Sequence, residues 1–223
     1  MTATPNVDAL LRLMAWMSPA FPVGAFSYSG GLETAVSDRR VTDTSQLQEW
    51  IALSLTRGAM WNDAVVLTQA WQASDDAHAL AGLSELGLAL AGSAERHRET
   101  LLLGHAFVDA ASAWPGDVFG ILPKAVPYPV AVGAIAACHA VPLEETLAAY
   151  LHSGVSQLTS AAIRLGVAGQ KQGTSLLAGL EEEVVSVSGL AASSSLDDLG
   201  SATIIADTSP MRHEVQPTRL FRS

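Results

Sequence analysis

Apolar residues recur at helical spacing along most of this chain, and that periodicity limits its fold more than any other feature. Leu47, Trp50, Ile51 and Leu55 stand three, four and eight positions apart, so they lie on one face of a helix. Similar patterns occur at residues 7–16, 62–71, 75–90, 94–114, 130–140, 143–165 and 170–190. The spacing predicts an all-α fold, a single-domain bundle of about eight to ten helices.

Only two short segments favour strands over helices. They are Val184 with Val185, and residues 203–205, where β-branched residues are adjacent. Two further parts lack a helical pattern, an irregular N-terminal loop at residues 17–31 and a tail at the C-terminal end. We therefore predict an all-helical domain at residues 1–208 and a partner-docking tail at residues 209–223.

The composition is unusually apolar, with 49% hydrophobic and only 15% charged residues. Such a chain either crosses a membrane or covers much of its surface with partners. A membrane span needs about 20 apolar residues, but prolines, glycines or polar residues interrupt each uncharged run, at residues 13–32, 125–143 and 146–163. We predict a cytoplasmic protein without a membrane span, because no basic segment precedes an apolar run at the N-terminus either.

Charge and cysteine content exclude several classes of protein. The net charge is −10, so the chain repels a phosphate backbone, and binding to nucleic acid is not expected. Cys138 is the only cysteine, which rules out an internal disulfide and fits a reducing compartment.

No motif of a catalyst is present. The segment GQKQGT at residues 169–174 has the wrong order for a phosphate-binding loop, and no strand pattern precedes it. No serine has glycines two residues away on both sides, so a nucleophile elbow is absent. We predict that the protein is not an enzyme and that it holds no stable cofactor.

A closed metal site is not expected either. The adjacent Cys138 and His139 suggest a soft metal site, but neighbouring residues on a helix point about 100° apart, so a structural role is favoured. No two histidines have the helical spacing that presents a pair to one metal; they are His78, His97, His105, His139, His152 and His213.

Two segments have the composition of functional surfaces. Residues 18–33 read SPAFPVGAFSYSGGLE, in which prolines and glycines fix the backbone and aromatic side chains supply apolar faces. Residues 212–223 read RHEVQPTRLFRS, where Arg219 and Arg222 flank Leu220 and Phe221. Arginines around an apolar pair are typical of an interface anchor, although such a tail can also fold back onto its own core. We expect docking on a partner.

Together these two segments resemble the signatures of the urease accessory protein F (UreF) family, SPxxPxGxFSYSxGLE and RHExxxxRLFRS. Three further blocks are similar to family blocks and occur in the same order, RETLLLG at residues 98–104, YPVAVG at residues 128–133 and GQKQG at residues 169–173. The resemblance covers nearly the whole chain.

The resemblance implies an all-helical, commonly dimeric adaptor that is required for urease maturation. Members of the family bind the accessory protein UreD (UreH in some organisms) and recruit the GTPase UreG, and the assembly passes nickel to apo-urease. By this resemblance, partners bind the nickel and the GTP. Whether this chain controls the partner's GTP hydrolysis stays open. Carried onto this chain, the partner-binding residues are Tyr28, Ser29, Glu33, Arg212, His213, Glu214, Arg219, Leu220, Phe221 and Arg222. The alternative is a metallochaperone that binds nickel through its own His and Cys side chains.

Overall fold

A computed structural model describes residues 7–223 of the chain. In this range eleven α-helices are connected by short loops and three 3₁₀ turns, at Ala25–Ser27, Asp117–Gly120 and Leu196–Asp198. The α-helices are α1 (Val7–Trp16), α2 (Leu32–Ser37), α3 (Thr44–Arg57), α4 (Ala59–Gln72), α5 (Ala77–Ala89), α6 (Ala94–Ala111), α7 (Tyr128–Cys138), α8 (Leu143–Arg164), α9 (Gln170–Gly179), α10 (Glu181–Ala192) and α11 (Ile204–His213).

The predicted all-α class is confirmed, since residues 7–223 contain no strand. Both strand candidates were wrong. Val184 and Val185 lie in α10, which has three glutamates in its first turn, where they stabilise the positive end of the helix dipole. Residues 204–205 begin α11, and Thr203 is its N-cap. Short β-branched pairs therefore did not outweigh the helical context around them.

Helix boundaries differ from the predicted ones where caps decide them. Asp43, not Thr44 or Ser45, caps α3, because its carboxylate accepts a hydrogen bond from the amide of Gln46. The segment at residues 170–190 forms two helices, since Leu180 leaves the helical conformation between α9 and α10. Residues 204–213 form one helix, so position 208, the predicted end of the helical domain, lies inside α11.

Helix α7 lies at the centre of the bundle. Eight consecutive residues, Pro129 to Ala136, are buried, which is typical of a helix surrounded by others. Helices α4, α5, α6 and α8 all pack against it. This burial explains why residues 125–143 are so apolar. Within residues 7–223, no helix is long and apolar enough to cross a bilayer.

Glycines allow α7 to approach its neighbours closely. A Cβ added to Gly133 would collide with the carbonyl oxygen of Leu67 in α4, and one added to Gly104 in α6 would collide with the carbonyl oxygen of Val126. At both contacts the helix backbones meet without intervening side chains. These contacts set the spacing of the central helices.

We expect Gly133→Ala to lower the free energy of unfolding by about 1–3 kcal/mol, because the new methyl group overpacks the contact between α4 and α7. Gly82→Ala is the matched control, since it also lies in a helix but nothing stands within 4 Å of the added Cβ. That substitution should raise stability by up to about 1 kcal/mol through helix propensity. Urea denaturation measures both, and equal stability of Gly133→Ala and wild type would contradict the close approach.

Candidate functional site: the docked C-terminal tail

The C-terminal tail, residues 214–223, runs back over the loop before α2. The amide of Arg222 donates to the carbonyl of Ser27 at 2.8 Å, and the amide of Ser29 donates to the carbonyl of Ser223 at 2.9 Å. Exposure alternates along this extended end: Leu220 is 54% exposed and Phe221 only 5%, while Arg222 is exposed and Ser223 is buried. The last four residues of the tail therefore present every second side chain to solvent.

The carboxylate of Glu33 anchors the backbone of the tail. It accepts hydrogen bonds from the amides of Leu220 at 2.7 Å and Phe221 at 2.9 Å. Glu33 stands in the first turn of α2 and is buried. Charged hydrogen bonds are strong in such surroundings, and each contributes about 1.5–3 kcal/mol. A single side chain thus fixes both the position and the direction of the tail.

His213, the last residue of α11, lies between two carboxylates. Its Nε2 is 3.1 Å from Glu33 Oε2, and its Nδ1 is 2.7 Å from Glu95 Oε2. Both ring nitrogens can donate to these oxygens only in the doubly protonated ring. Arg219 also donates to Glu95, at 2.7 Å. The end of α11 and the tail are therefore tied together through the same pair of glutamates.

The tail also helps to cap the N-terminus of α6. Ser93 caps this helix by accepting from the amide of Arg96. Glu214 accepts from the amide of Ala94 at 2.8 Å, so its carboxylate lies where the helix dipole favours a negative charge. The tail thus satisfies an amide that the helix itself leaves without a partner.

The hydroxyl of Ser223 reaches a partly buried cluster of charges between α4, α6 and α8. It donates to Glu99 at 2.9 Å. Arg96 pairs with Glu99 at 3.2 Å and with Asp63 at 2.5 Å, and Tyr150 donates to Asp63 at 3.0 Å. Together these groups form one hydrogen-bonded cluster that joins the end of the tail to the interior of the bundle.

Burial and charge act in opposite directions on the pKa values of this cluster. Burial raises the pKa of Glu99, although Arg96 and the hydroxyl of Ser223 favour its charged form. Burial lowers the pKa of Arg96, but the attraction of Asp63 and Glu99 outweighs it, and the pKa is raised overall. Burial, and next the charge of Asp63, raise the pKa of Tyr150. Arg96 therefore keeps its positive charge. The two carboxylates of the cluster, Asp63 and Glu99, depend on that charge for their pairing.

The irregular loop, residues 17–31, is shaped to receive the tail and α11. Gly24 and Gly31 have positive φ angles of 79° and 82°. At Gly31 a Cβ would stand 2.8 Å from the ring of Pro210 in α11, so only glycine fits there. Arg164, the last residue of α8, donates to the carbonyl of Phe26 at 2.6 Å, and its guanidinium lies 4.2 Å from the centre of the Phe221 ring.

The structure brings the two segments singled out by sequence into direct contact, but it divides their residues into two groups. One group is buried in the chain's own core and orders the loop and the tail; it consists of Tyr28, Ser29, Glu33, His213 and Phe221. The other is partly or fully exposed and consists of Arg212, Glu214, Arg219, Leu220 and Arg222. The tail folds back onto its own chain, so docking on a partner stays a prediction that concerns the exposed group.

Sequence reasoning missed Glu95, Glu99, Arg96, Asp63 and Arg164. Glu99 lies in the block RETLLLG at residues 98–104, which was singled out, but its spacing gave no sign of a partner more than 120 residues away. Residues 95–99 mix acidic and basic side chains, and that mixture at the start of an otherwise apolar helix is the one visible signal.

Neither of the two metal-binding candidates gains a ligand set. Cys138 is exposed, and His139 Nε2 lies 3.1 Å from the carbonyl oxygen of Trp114. Burial and the nearby Arg12 lower the pKa of His139. In the part of the chain from Val7 onward, no three His, Cys, Asp or Glu side chains are grouped so that they could hold a metal ion.

Sequence comparisons with known proteins extend over the loop, the helices and the tail. The sequence model of the UreF family matches residues 41–181. The chain is 63% identical to the urease accessory protein UreF of Agrobacterium fabrum and 55% identical to that of Rhizobium johnstonii, over all of both chains. It is 52% identical to urease accessory protein UreF 1 of Brucella suis, over 96% of this chain and 94% of that protein. The first two alignments include the loop and the tail, which lie outside residues 41–181.

We expect Glu33→Gln to release the tail while the helical bundle stays folded. A neutral amide accepts weaker hydrogen bonds from Leu220 and Phe221, and it removes the negative charge that faces His213. Hydrogen exchange of the amides of residues 220 and 221 should become faster by about tenfold or more, which corresponds to at least ~1.4 kcal/mol. Glu49→Gln, on the exposed face of α3, is the matched control and should leave these rates unchanged.

Proposed function

Because this chain belongs to the UreF family of urease accessory proteins, we propose that it serves urease maturation as an adaptor that binds UreD (UreH) and recruits UreG. The adaptor is not a catalyst in this proposal. GTP is hydrolysed by UreG, and nickel released during that step passes through the assembly to the urease apoprotein without equilibrating with bulk solvent. The assembly operates in the cytoplasm and contains this chain as a homodimer.

The observation that carries this proposal is the way in which the tail is held. Phe221 points into the protein and Glu33 fixes the two amides at residues 220 and 221, so Leu220 and Arg222 point outward from a backbone that is already ordered. A partner that binds such a preformed segment loses little conformational entropy, and more of the contact energy appears as affinity. An ordered apolar residue flanked by arginines is typical of an interface hot spot.

The two groups of site residues have different roles in this proposal. The exposed group, Arg212, Glu214, Arg219, Leu220 and Arg222, contacts the partner. The buried residues hold them in place, and they include Tyr28, whose carbonyl accepts from Gln157 at 3.2 Å, and Ser29, which pairs with Ser223. Substituting a buried residue should therefore weaken partner binding indirectly, through loss of tail order.

We test the adaptor role by truncating Leu220 to alanine and measuring binding to purified UreD, and then to UreG in the presence of GTP. Leu220→Ala should weaken one of the two interactions by about tenfold, since truncation of a central apolar anchor costs more than about 1 kcal/mol. Urea denaturation should show the stability of wild type, because the side chain is more than half exposed.

The matched control is Val185→Ala on α10, a residue that is 67% exposed and remote in sequence from the loop and the tail. It removes a comparable apolar side chain and should leave both interactions intact. Equal binding of wild type and Leu220→Ala to both partners would contradict a role of the tail as an interface.

Nickel binding by the isolated protein distinguishes the adaptor from a metallochaperone. We expect equilibrium dialysis to detect no tight stoichiometric binding of nickel. Tight binding that disappears in a Cys138→Ser, His139→Asn double variant would contradict the purely adaptor role and would assign the metal to these two residues.

A further inference from the structure

The imidazole ring of His213 lies at the point where the tail leaves α11, and it is fully buried, with 0% of its surface exposed. Its two nitrogens each face one carboxylate from a different helix. Glu33 approaches Nε2 from α2 at 3.1 Å, and Glu95 approaches Nδ1 from α6 at 2.7 Å. The ring therefore joins three helices at the base of the tail.

Both of these contacts need a proton between nitrogen and oxygen. A neutral imidazole carries a single N–H, so one of its nitrogens would face a carboxylate oxygen with lone pairs on both atoms. Solvent does not screen that repulsion, because the ring is buried. Loss of one ring proton thus replaces a charge-assisted hydrogen bond with an unmatched pair of acceptors.

The charges around the ring also balance only when it is protonated. Glu33 and Glu95 bring two negative charges, and Arg219 of the tail brings one positive charge through its ion pair with Glu95. The imidazolium supplies the second positive charge. The same two carboxylates hold the tail, since Glu33 accepts its amides and Glu95 pairs with its arginine. The charge of the ring and the docking of the tail consequently depend on the same oxygens.

The other titratable groups nearby are engaged elsewhere. Arg212 pairs with Asp38, and Glu214 accepts from an amide at the start of α6. Burial raises the pKa of Glu99, and the hydroxyl of Ser223 in the docked tail favours its charged form. Protonation of Glu99 in acid would therefore loosen the tail, which is the opposite direction from a loss of charge on the ring. The two effects can be told apart by the sign of the pH dependence.

We propose that His213 makes docking of the tail dependent on pH: the tail is held while the ring carries two protons, and it loosens when a rise in pH removes one. When the end of α11 and the tail detach, the ring is exposed to water, where an ordinary histidine loses its proton near pH ~6.5. Docking at higher pH then requires the uptake of one proton. The inference is independent of the adaptor proposal, since it concerns contacts within the chain alone.

The sign follows from the proton count. The docked state binds one proton more than the detached state, so docking is at full strength below about pH 6.5 and weakens as the pH rises. For a single proton, the docking constant falls by up to about tenfold per pH unit.

Hydrogen exchange of the tail amides measures this dependence in the isolated full-length protein. We expect the protection of the amides of Leu220 and Phe221, each corrected for its intrinsic exchange rate, to fall by about three- to tenfold per pH unit between about pH 7 and pH 8.5. The protection of the amides of α7, at the centre of the bundle, should stay constant over the same range. NMR of the ring nitrogens of His213 in the same samples reports the loss of its proton.

Two substitutions remove the pH dependence in different ways. His213→Gln eliminates the titrating ring, so docking should be weaker at pH ~6.5 and should not change up to pH ~8.5. Glu95→Gln can turn either its oxygen or its NH₂ group towards Nδ1, so it matches the charged and the neutral ring, and the slope should be lost while the tail still docks. His97→Gln is the matched control, since this histidine lies exposed on α6, and it should keep the slope of wild type.

Constant protection of both tail amides in wild type across this pH range would overturn the proposal. A slope that persists in both His213→Gln and Glu95→Gln would overturn it as well, because another group would then be responsible. If His213→Gln fails to dock at any pH, Glu95→Gln and the NMR titration decide. A ring that loses its proton in wild type without any change in tail protection refutes the coupling.

Discussion

The buried carboxylate of Glu33 connects parts of the chain that are nearly 190 residues apart. Taking a carboxylate out of water costs several kcal/mol unless donors replace the water molecules. Here the donors are the amides of Leu220 and Phe221 together with the ring of His213. The tail consequently supplies the donors that the buried carboxylate on α2 needs, and that carboxylate fixes the course of the tail. The same dependence explains why the loop before α2 must be rigid, since it positions the residue on which both segments rely.

The fold could be predicted from the sequence because helical periodicity is a local property. The stripe from Leu47 to Leu55 lies within one helix, and its apolar face determines how α3 packs whatever the rest of the chain does. Predictions failed where a local signal was weak. Val184 and Val185 favour strands only slightly. The acidic first turn and the packing of α10 stabilise the helix that contains them.

The site was predicted in its parts but not in its connections. The loop at residues 18–33 and the tail at residues 212–223 were recognisable by composition and by likeness to a family. Their direct contact was not predictable, because a hydrogen bond between Ser29 and Ser223 has no signature in the residues between them. For the same reason Glu95 and Glu99 were missed: in isolation they read as ordinary charges at the start of an exposed helix, and only the fold buries them.

The hydroxyl of Ser223 gives the molecule a thermodynamic linkage between its surface and its interior. When the tail is docked, Glu99 receives a donor, and when the tail leaves, a buried carboxylate loses one. Because coupling free energies are reciprocal, docking of the tail changes the free energy of ionising Glu99 by the same amount as the charge of Glu99 changes the free energy of docking. A ligand bound at the outer face of the tail is therefore energetically connected to groups on α4 and α6 that it never touches.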